Sequence, residues 1–140
     1  MDPVSCAASV IAVIELAGAL AGICGDYIKK VKNAQKDIDD LNGEINSLRI
    51  ILESLNNILR GPGGEKLIAL QKIFDDVGKC KTILNTLSDK INPATTQSSV
   101  RWRGFRHWKW PLQRTEVDEA ISQLKGYTSL FVTALQIDHV

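Results

Sequence analysis

The sequence predicts an all-α protein, a helical bundle of four main helices with a long loop before the last helix. Two observations predict this class. Apolar residues recur three and four positions apart through most of the chain, and no stretch shows the alternating β-branched pattern of a strand. The chain has 140 residues, of which 44% are hydrophobic and 24% charged, as in one globular domain. We therefore expect residues 1–140 to form a single helical domain.

The first helix is expected over residues 3–31. Asp2 can accept hydrogen bonds from the free N–H groups of a first helical turn, and Pro3 is tolerated at the first helical position. Lys29 and Lys30 suit the negative end of the helix dipole. The chain is thus expected to turn directly after them.

The second and third helices are expected over residues 34–59 and 65–91, each with one apolar stripe. The stripe of the second helix consists of Ile38, Leu41, Ile45, Leu48, Leu52, Leu55 and Leu59. That of the third consists of Leu70, Ile73, Val77, Cys80, Leu84, Leu87 and Ile91. The run Gly-Pro-Gly-Gly at 61–64 forces a turn between them. A short connection predicts that the two helices are antiparallel neighbours.

The fourth helix is expected over residues 115–137, with Thr115 as its N-cap. Its stripe consists of Val117, Ile121, Leu124, Thr128, Phe131 and Leu135. Residues 92–114 form the long loop, which exceeds the length of a tight helix-to-helix turn. The core is expected to contain Leu48, Leu52, Ile73, Val77, Leu124 and Phe131.

Charge and cysteine content indicate a cytoplasmic protein without a general affinity for nucleic acid. The chain has 17 basic and 16 acidic residues, a net charge of +1. Cys6, Cys24 and Cys80 are odd in number and lie in apolar stretches, which favours buried thiols over disulfides. The apolar start is not expected to be a secretion signal, because it has no Lys or Arg before it and carries Asp2.

Enzyme chemistry is not indicated by any motif, and we expect no catalytic, cofactor-binding or metal-binding residue. The two histidines are His107 and His139, no cysteine pair has metal-ligand spacing, and no phosphate-binding glycine loop is present. Asp39, Asp40 and Glu44 cluster on the second helix, where a solvated acidic face is the expected role.

The first helix has the length and composition of a membrane-inserting segment. Residues 4–25 contain one charged residue, Glu15. The apolar side chains favour insertion by about 2–5 kcal/mol, and a central charge costs about 2.5–3.5 kcal/mol, so the balance is near zero. Small residues spaced four apart would let such helices associate closely. The candidates for membrane insertion and oligomerisation are Val10, Ile14, Glu15, Ala17, Gly18, Ala21, Gly22 and Gly25. The alternative is a central bundle helix whose small residues admit bulky neighbours.

Basic and aromatic residues interleave in one segment near the end of the long loop. This basic-aromatic segment consists of Arg101, Trp102, Arg103, Arg106, Trp108, Lys109 and Trp110, and contains all three tryptophans of the chain. Such a segment can sit at an anionic lipid interface, stack on single-stranded nucleic acid, or anchor the open end of the bundle. We expect lipid contact or anchoring and no nucleic-acid partner.

Four stretches of the chain carry a resemblance to a known family. They are "MDPVSCAASVIAVIELAG", "DYIKKVKNAQKDIDDLNGEINSLRIILESL", "WKWP" and "EVDEAISQLKGYTSLFVTALQIDH". Together they resemble the N-terminal HeLo-like domain of fungal NLR-like STAND receptors, whose nucleotide-binding part is of the NACHT or NB-ARC type. That domain is similar to the HeLo domain of fungal incompatibility proteins and to the four-helix domain of the mixed-lineage kinase-like necroptosis executioner.

The resemblance implies a cell-death execution domain of an innate immune receptor that acts in programmed cell death and heterokaryon incompatibility. It implies a cytoplasmic resting state, a homo-oligomer on activation, and relocation to anionic lipids of the plasma membrane, which the domain permeabilises. It also implies a downstream nucleotide-binding domain in the same receptor. The family's glycine-zipper-like segment maps onto Ala17, Gly18, Ala21, Gly22 and Gly25, and Glu15 stands where related sequences often have a neutral residue. The alternative is a passive protein–protein interaction module, an adaptor at the N-terminus of such a receptor.

Overall fold

A computed structural model describes residues 3–61, 70–92 and 109–138, which form four α-helices and no strand. The helices are α1 Pro3–Lys30, α2 Gln35–Arg60, α3 Leu70–Ile91 and α4 Arg114–Asp138. The predicted class, an all-α bundle of four main helices with a long connection before the last, is confirmed. Each described helix end lies within one residue of the bound expected from the sequence. The expected start of the third helix, over 65–69, lies outside the described residues.

The four helices alternate in direction along the chain. Tyr27 in the last turn of α1 contacts Ile91 at the end of α3, so these two helices run parallel. Arg114 at the start of α4 contacts Asp37 near the start of α2, so these two also run parallel. The tight turn at 31–34 reverses the chain between α1 and α2.

The expected packing of the second helix against the third is wrong. α2 packs on α1 and α4, and α3 packs on the same two helices, so α2 and α3 face each other across a diagonal. With neighbouring axes about 8–10 Å apart, such a diagonal measures about 11–14 Å. The nine peptide units from Gly61 to Leu70 can span about 30 Å, so the connection does not force the two helices together. α2 and α3 are antiparallel without being neighbours.

The predicted core is confirmed in its central residues. The whole stripe of α2 and all six expected core residues are buried. The stripe of α3 is likewise buried from Ile73 to Ile91, whereas the side chain of Leu70 lies outside the described set. Cys6, Cys24 and Cys80 are free, buried thiols, as expected. Burial raises the pKa of the Cys80 thiol to about 12, which leaves it un-ionised at neutral pH.

Two helix ends differ from the chemistry that the sequence suggests. Ala34 precedes α2 in the left-handed region, with φ 74°, and makes no side-chain cap. The expected N-cap at Thr115 is wrong, because α4 begins one residue earlier and Thr115 lies inside its first turn. Its start is instead capped by Glu116, whose Oε1 accepts a hydrogen bond of 3.1 Å from the backbone N–H of Gln113.

Candidate functional site

α1 has one face in the core and one face that none of the other described helices covers. The inner face is buried against α2 and α3 and consists of Cys6, Val10, Val13, Ala17, Leu20, Cys24 and Tyr27. The opposite side, called here the outer face, consists of the exposed residues Val4, Ala8, Glu15, Ala19, Gly22 and Asp26. Both sets follow the helical repeat, so α1 is apolar or small on nearly all sides.

The residues expected to mediate insertion and oligomerisation divide between these faces. Val10 and Ala17 are fully buried in the core. Ile14, Gly18, Ala21 and Gly25 are half-buried along the flanks, and Glu15 and Gly22 are exposed. The bundle therefore does not gather the candidate residues into one surface, and Val10 and Ala17 reach a partner only if α1 leaves the core.

The glycines of α1 have different surroundings. A Cβ added at Gly18 would lie 3.4 Å from a terminal guanidinium nitrogen of Arg49, which crosses α1 from α2. A Cβ added at Gly22 or Gly25 would meet no atom within 4 Å among the described residues. The interpretation that the small residues admit bulky neighbours thus holds for Gly18 and does not account for Gly22 or Gly25.

α1 is long and apolar enough to cross a bilayer, by length and composition. Core helices of soluble proteins meet the same test, but such helices are mostly buried, whereas 33% of the apolar window of α1 is buried. The one charged residue of the apolar segment, Glu15, lies on the outer face of α1 and is exposed to water in the folded bundle. In the folded bundle its carboxylate therefore pays no desolvation cost.

The end of the basic-aromatic segment anchors on the bundle. Arg101 to Trp108 lie outside the described residues, and Lys109 is exposed. Trp110 is half-buried, with its ring edge-on to Tyr27 at a centroid distance of 5.1 Å and an interplanar angle of 84°. In the folded bundle Trp110 thus packs on the end of α1, and the functional role of the segment stays a prediction.

Trp110 is docked with one polar atom unpaired. Its Nε1 is buried and has no hydrogen-bond partner among the described residues. A buried N–H without a partner costs about 1–3 kcal/mol. By contrast, the hydroxyl of Tyr27 beneath it donates a hydrogen bond of 2.7 Å to the carbonyl oxygen of Ile91. The ring of Trp110 thus makes a favourable aromatic contact at this end of the bundle, whereas its N–H makes no hydrogen bond with the described residues.

A group of ion pairs holds the start of α4 at the same end of the bundle. Arg114 contacts Asp37 at 2.7 Å and Asp40 at 3.1 Å on α2, and Asp118 at 2.9 Å on α4 itself. Lys36 also pairs with Asp40, so this carboxylate has two cationic partners and its pKa is lowered. The contacts with Asp37, Asp40 and Asp118 raise the pKa of the Arg114 guanidinium.

Glu116 adds a tie between α4 and α3. The cap hydrogen bond from the Gln113 N–H, and after it the contact of 3.4 Å with Lys90 Nζ, lower the pKa of the Glu116 carboxylate. Sequence reasoning missed both ties, because Arg114 and Asp37 lie 77 positions apart and surface charges carry no periodic signal. It had assigned Asp40 to a solvated acidic face.

Two concave regions flank these helices. A cleft of about 240 Å³ between α3 and α4 is lined by Thr82, Thr86, Leu87, Lys90, Leu112 and Glu119, among others. A cavity of about 460 Å³ lies where the start of α1 meets the end of α2, lined by Val4, Ala7, Ala8, Ile11, Leu59 and Arg60 with Gly61. Among the described residues, no group of three His, Cys, Asp or Glu side chains is placed to hold a metal ion.

The fold and these surfaces define a four-helix domain with an apolar, partly uncovered N-terminal helix. Residues 1–137 match the family described as "Pigment biosynthesis cluster protein PigL N-terminal", and the chain belongs to this family. Neither the curated proteins nor the solved structures contain a significant match.

Proposed function

We propose that this domain is a membrane-permeabilising cell-death execution module, activated when several copies are brought together. The single observation that carries the proposal is α1, a helix of membrane-spanning length with only a third of its apolar window buried. In this mechanism α1 leaves the bundle and inserts, and α1 helices of neighbouring copies associate through their small residues. The domain acts without catalysis and without a cofactor.

The insertion balance supports a switch controlled by assembly. The apolar residues and the one central charge nearly cancel, so a single α1 gains little free energy by entering lipid. Close packing of small residues supplies the additional free energy only when several copies meet. Glu15 then faces the interior of the assembly, as intramembrane charges generally do.

The partners follow from the same mechanism. The resting domain is cytoplasmic, and the assembled domain moves to the anionic plasma membrane, whose surface potential attracts the basic-aromatic segment. The matching family is described as the N-terminal part of the PigL protein. That description supports a position at the N-terminus of a longer chain, in which a downstream nucleotide-binding domain would drive assembly in innate immunity and heterokaryon incompatibility.

The experiment is dye release from anionic vesicles by the 140-residue chain fused to an inducible tetramerising tag. Induced assembly should release dye, and the unassembled chain should release little. Gly22→Leu adds volume where the folded bundle has open space, so the fold should persist while close approach of α1 helices is blocked. We expect membrane binding to be retained and dye release to fall about tenfold or more.

Gly126→Leu is the matched control, because Gly126 is an exposed glycine of α4 with no atom within 4 Å of an added Cβ. It should leave dye release unchanged. Gly18 is less suitable for this test, since a Leu side chain there would meet the Arg49 guanidinium, whereas the surroundings of Gly22 are open. If assembled wild-type protein binds several lipid compositions and leaves all vesicles intact, the proposal is wrong.

A passive interaction module is the alternative function, and the cleft between α3 and α4 favours it. The cleft combines apolar walls at Leu87 and Leu112 with charged rims at Lys90 and Glu119, as protein-binding surfaces commonly do. A charge reversal at Glu119 that abolishes signalling in cells, with vesicles intact under every condition, would favour this function over membrane attack.

A further inference from the structure

The two ends of α1 are held in the bundle by different means. At the N-terminal end, Val4, Ala7 and Ala8 border the half-open cavity of about 460 Å³, and Val4 and Ala8 are exposed. At the C-terminal end, Tyr27 is fully buried and its hydroxyl binds the last carbonyl oxygen of α3. That carbonyl has no partner within its own helix, so the Tyr27 hydroxyl caps α3. The C-terminal end is therefore where α1 is fastened most firmly.

Trp110 covers this fastening point from outside. Its ring packs edge-on against Tyr27 at 5.1 Å, and two residues later Leu112 is buried in the core. The contact thus joins the end of α1, the end of α3 and the segment that leads into α4. Removing Trp110 would take away this aromatic contact with Tyr27.

Docking leaves the indole N–H of Trp110 unpaired among the described residues, and an indole at a water–lipid interface finds a hydrogen-bond partner. The hydrogen bond that the indole N–H gains at the interface therefore offsets part of the free energy that Trp110 loses when it leaves Tyr27. Lys109, the neighbouring residue, is exposed and can approach anionic headgroups while Trp110 is still docked. The contact is placed to open in response to a membrane.

We propose that Trp110 is a latch on α1: docked on Tyr27 it holds the C-terminal end of α1 in the bundle, and its withdrawal into a lipid interface releases that end. This inference rests on the proposed function for its membrane step. The latch itself is a property of the soluble bundle and can be tested without a membrane.

The first test is hydrogen exchange of the soluble 140-residue chain. Trp110→Ala should speed exchange in the last two turns of α1 on the order of tenfold, the factor expected when an aromatic contact is lost. Trp110→Phe keeps an aromatic ring on Tyr27 and removes the unpaired N–H, so exchange there should be as slow as in the wild type or slower. The first turns of α1, around Ala8, can open without breaking the contact between Trp110 and Tyr27, so exchange there should not change. Equal exchange in α1 for the wild type and Trp110→Ala would overturn the latch.

The second test is dye release by the same variants with the tetramerising tag. The latch predicts that release is fastest for Trp110→Ala and slowest for Trp110→Phe, with the wild type between them. A Trp110 that only anchors the domain to lipid predicts the opposite for Trp110→Ala, which would then release dye more slowly than the wild type and overturn the latch. If exchange changes as expected but no assembled protein releases dye, the proposed function and the membrane step both fail, and control of α1 by Trp110 in the bundle is retained.

Discussion

Leu52 illustrates how strongly single positions of this chain are determined by burial. It lies in the middle of the α2 stripe with no exposed surface, whereas Ile50, two positions earlier on the same helix, is 60% exposed. The two residues have the same number of carbon atoms and the same helix around them. They differ in their position around the helix, which places Leu52 in the core and Ile50 on the surface.

Leu52→Ala should lower the free energy of unfolding by about 2–5 kcal/mol, because it removes buried methyl groups and leaves a cavity. Ile50→Ala is the matched control and should change stability by less than about 0.5 kcal/mol. Urea denaturation followed by circular dichroism measures both. Similar midpoints for the two variants would contradict burial of the α2 stripe.

Ala34 is a second position where the local backbone decides the outcome of a substitution. Its φ of 74° is unfavourable for any residue with a Cβ, and glycine adopts it freely. The turn is nevertheless formed, because the Gln35 side chain donates hydrogen bonds to the carbonyl oxygens of Ile28 and Val31 at the end of α1.

Ala34→Gly should therefore stabilise the domain by about 0.5–1 kcal/mol, which thermal unfolding would detect as a higher melting temperature. Ala19→Gly provides the opposite control, since Ala19 is exposed inside α1 and glycine there should destabilise by a similar amount. A lower melting temperature for Ala34→Gly would mean that the turn does not adopt this conformation in solution.

At the scale of helices, α4 is attached at its start by charge as well as by its apolar stripe. Arg114 joins it to α2 through Asp37 and Asp40, and Glu116 joins it to α3 through Lys90. These pairs are exposed, so each is screened by water and salt. Their effect is to set where α4 begins rather than to dominate the stability of the bundle.

The tie through Asp40 should depend on pH. Its pKa is lowered from an ordinary value of 3.8, so its stabilising contribution is complete above that value and is lost as pH falls through the lowered pKa. The difference in melting temperature between the wild type and Asp40→Asn should be constant from about pH 7 to pH 5 and should shrink below about pH 4.

Asp39→Asn is the control for this measurement, because Asp39 is the exposed neighbour of Asp40. Raising the salt concentration at pH 7 should also reduce the effect of Asp40→Asn. An Asp40→Asn effect that is equal to that of Asp39→Asn, or that grows on acidification, would contradict the ion-pair geometry.

For the whole molecule, charge balance limits the partners available to it. The net charge is +1, and the basic residues concentrate in two short stretches, one from Lys29 to Lys36 and the other the basic-aromatic segment. Binding to nucleic acid needs neutralisation of several phosphates, and its strength falls steeply with salt. A short basic segment on a nearly neutral domain provides few such contacts.

Single-stranded DNA should therefore bind more weakly than about 10 µM at physiological salt and without sequence preference. Fluorescence anisotropy with a labelled oligonucleotide between 50 and 200 mM salt measures both properties. Substituting Arg101 and Arg103 with Ala should reduce whatever binding remains at low salt. Tight, sequence-selective binding would instead assign the basic-aromatic segment to nucleic acid.

Helix positions and the core were accessible from the sequence because both depend on local periodicity. The α2 stripe places seven apolar residues on one helical face, and all seven are buried. Capping was predicted less well. Thr115 has the right chemistry for an N-cap, but Glu116 can reach the preceding backbone and also pair with Lys90, which only the packed bundle brings near.

The sequence by itself determined the helical class, the described helix ends to within one residue, the central core residues and the membrane-compatible composition of α1, since each depends on residues a few positions apart. The tertiary structure alone decided which helices are neighbours, which side of α1 stays uncovered, and that Trp110 docks on Tyr27. These features depend on contacts between distant parts of the chain. Which of these contacts form depends on how the apolar faces of all four helices pack together, and this packing cannot be predicted from the stripe of any one helix.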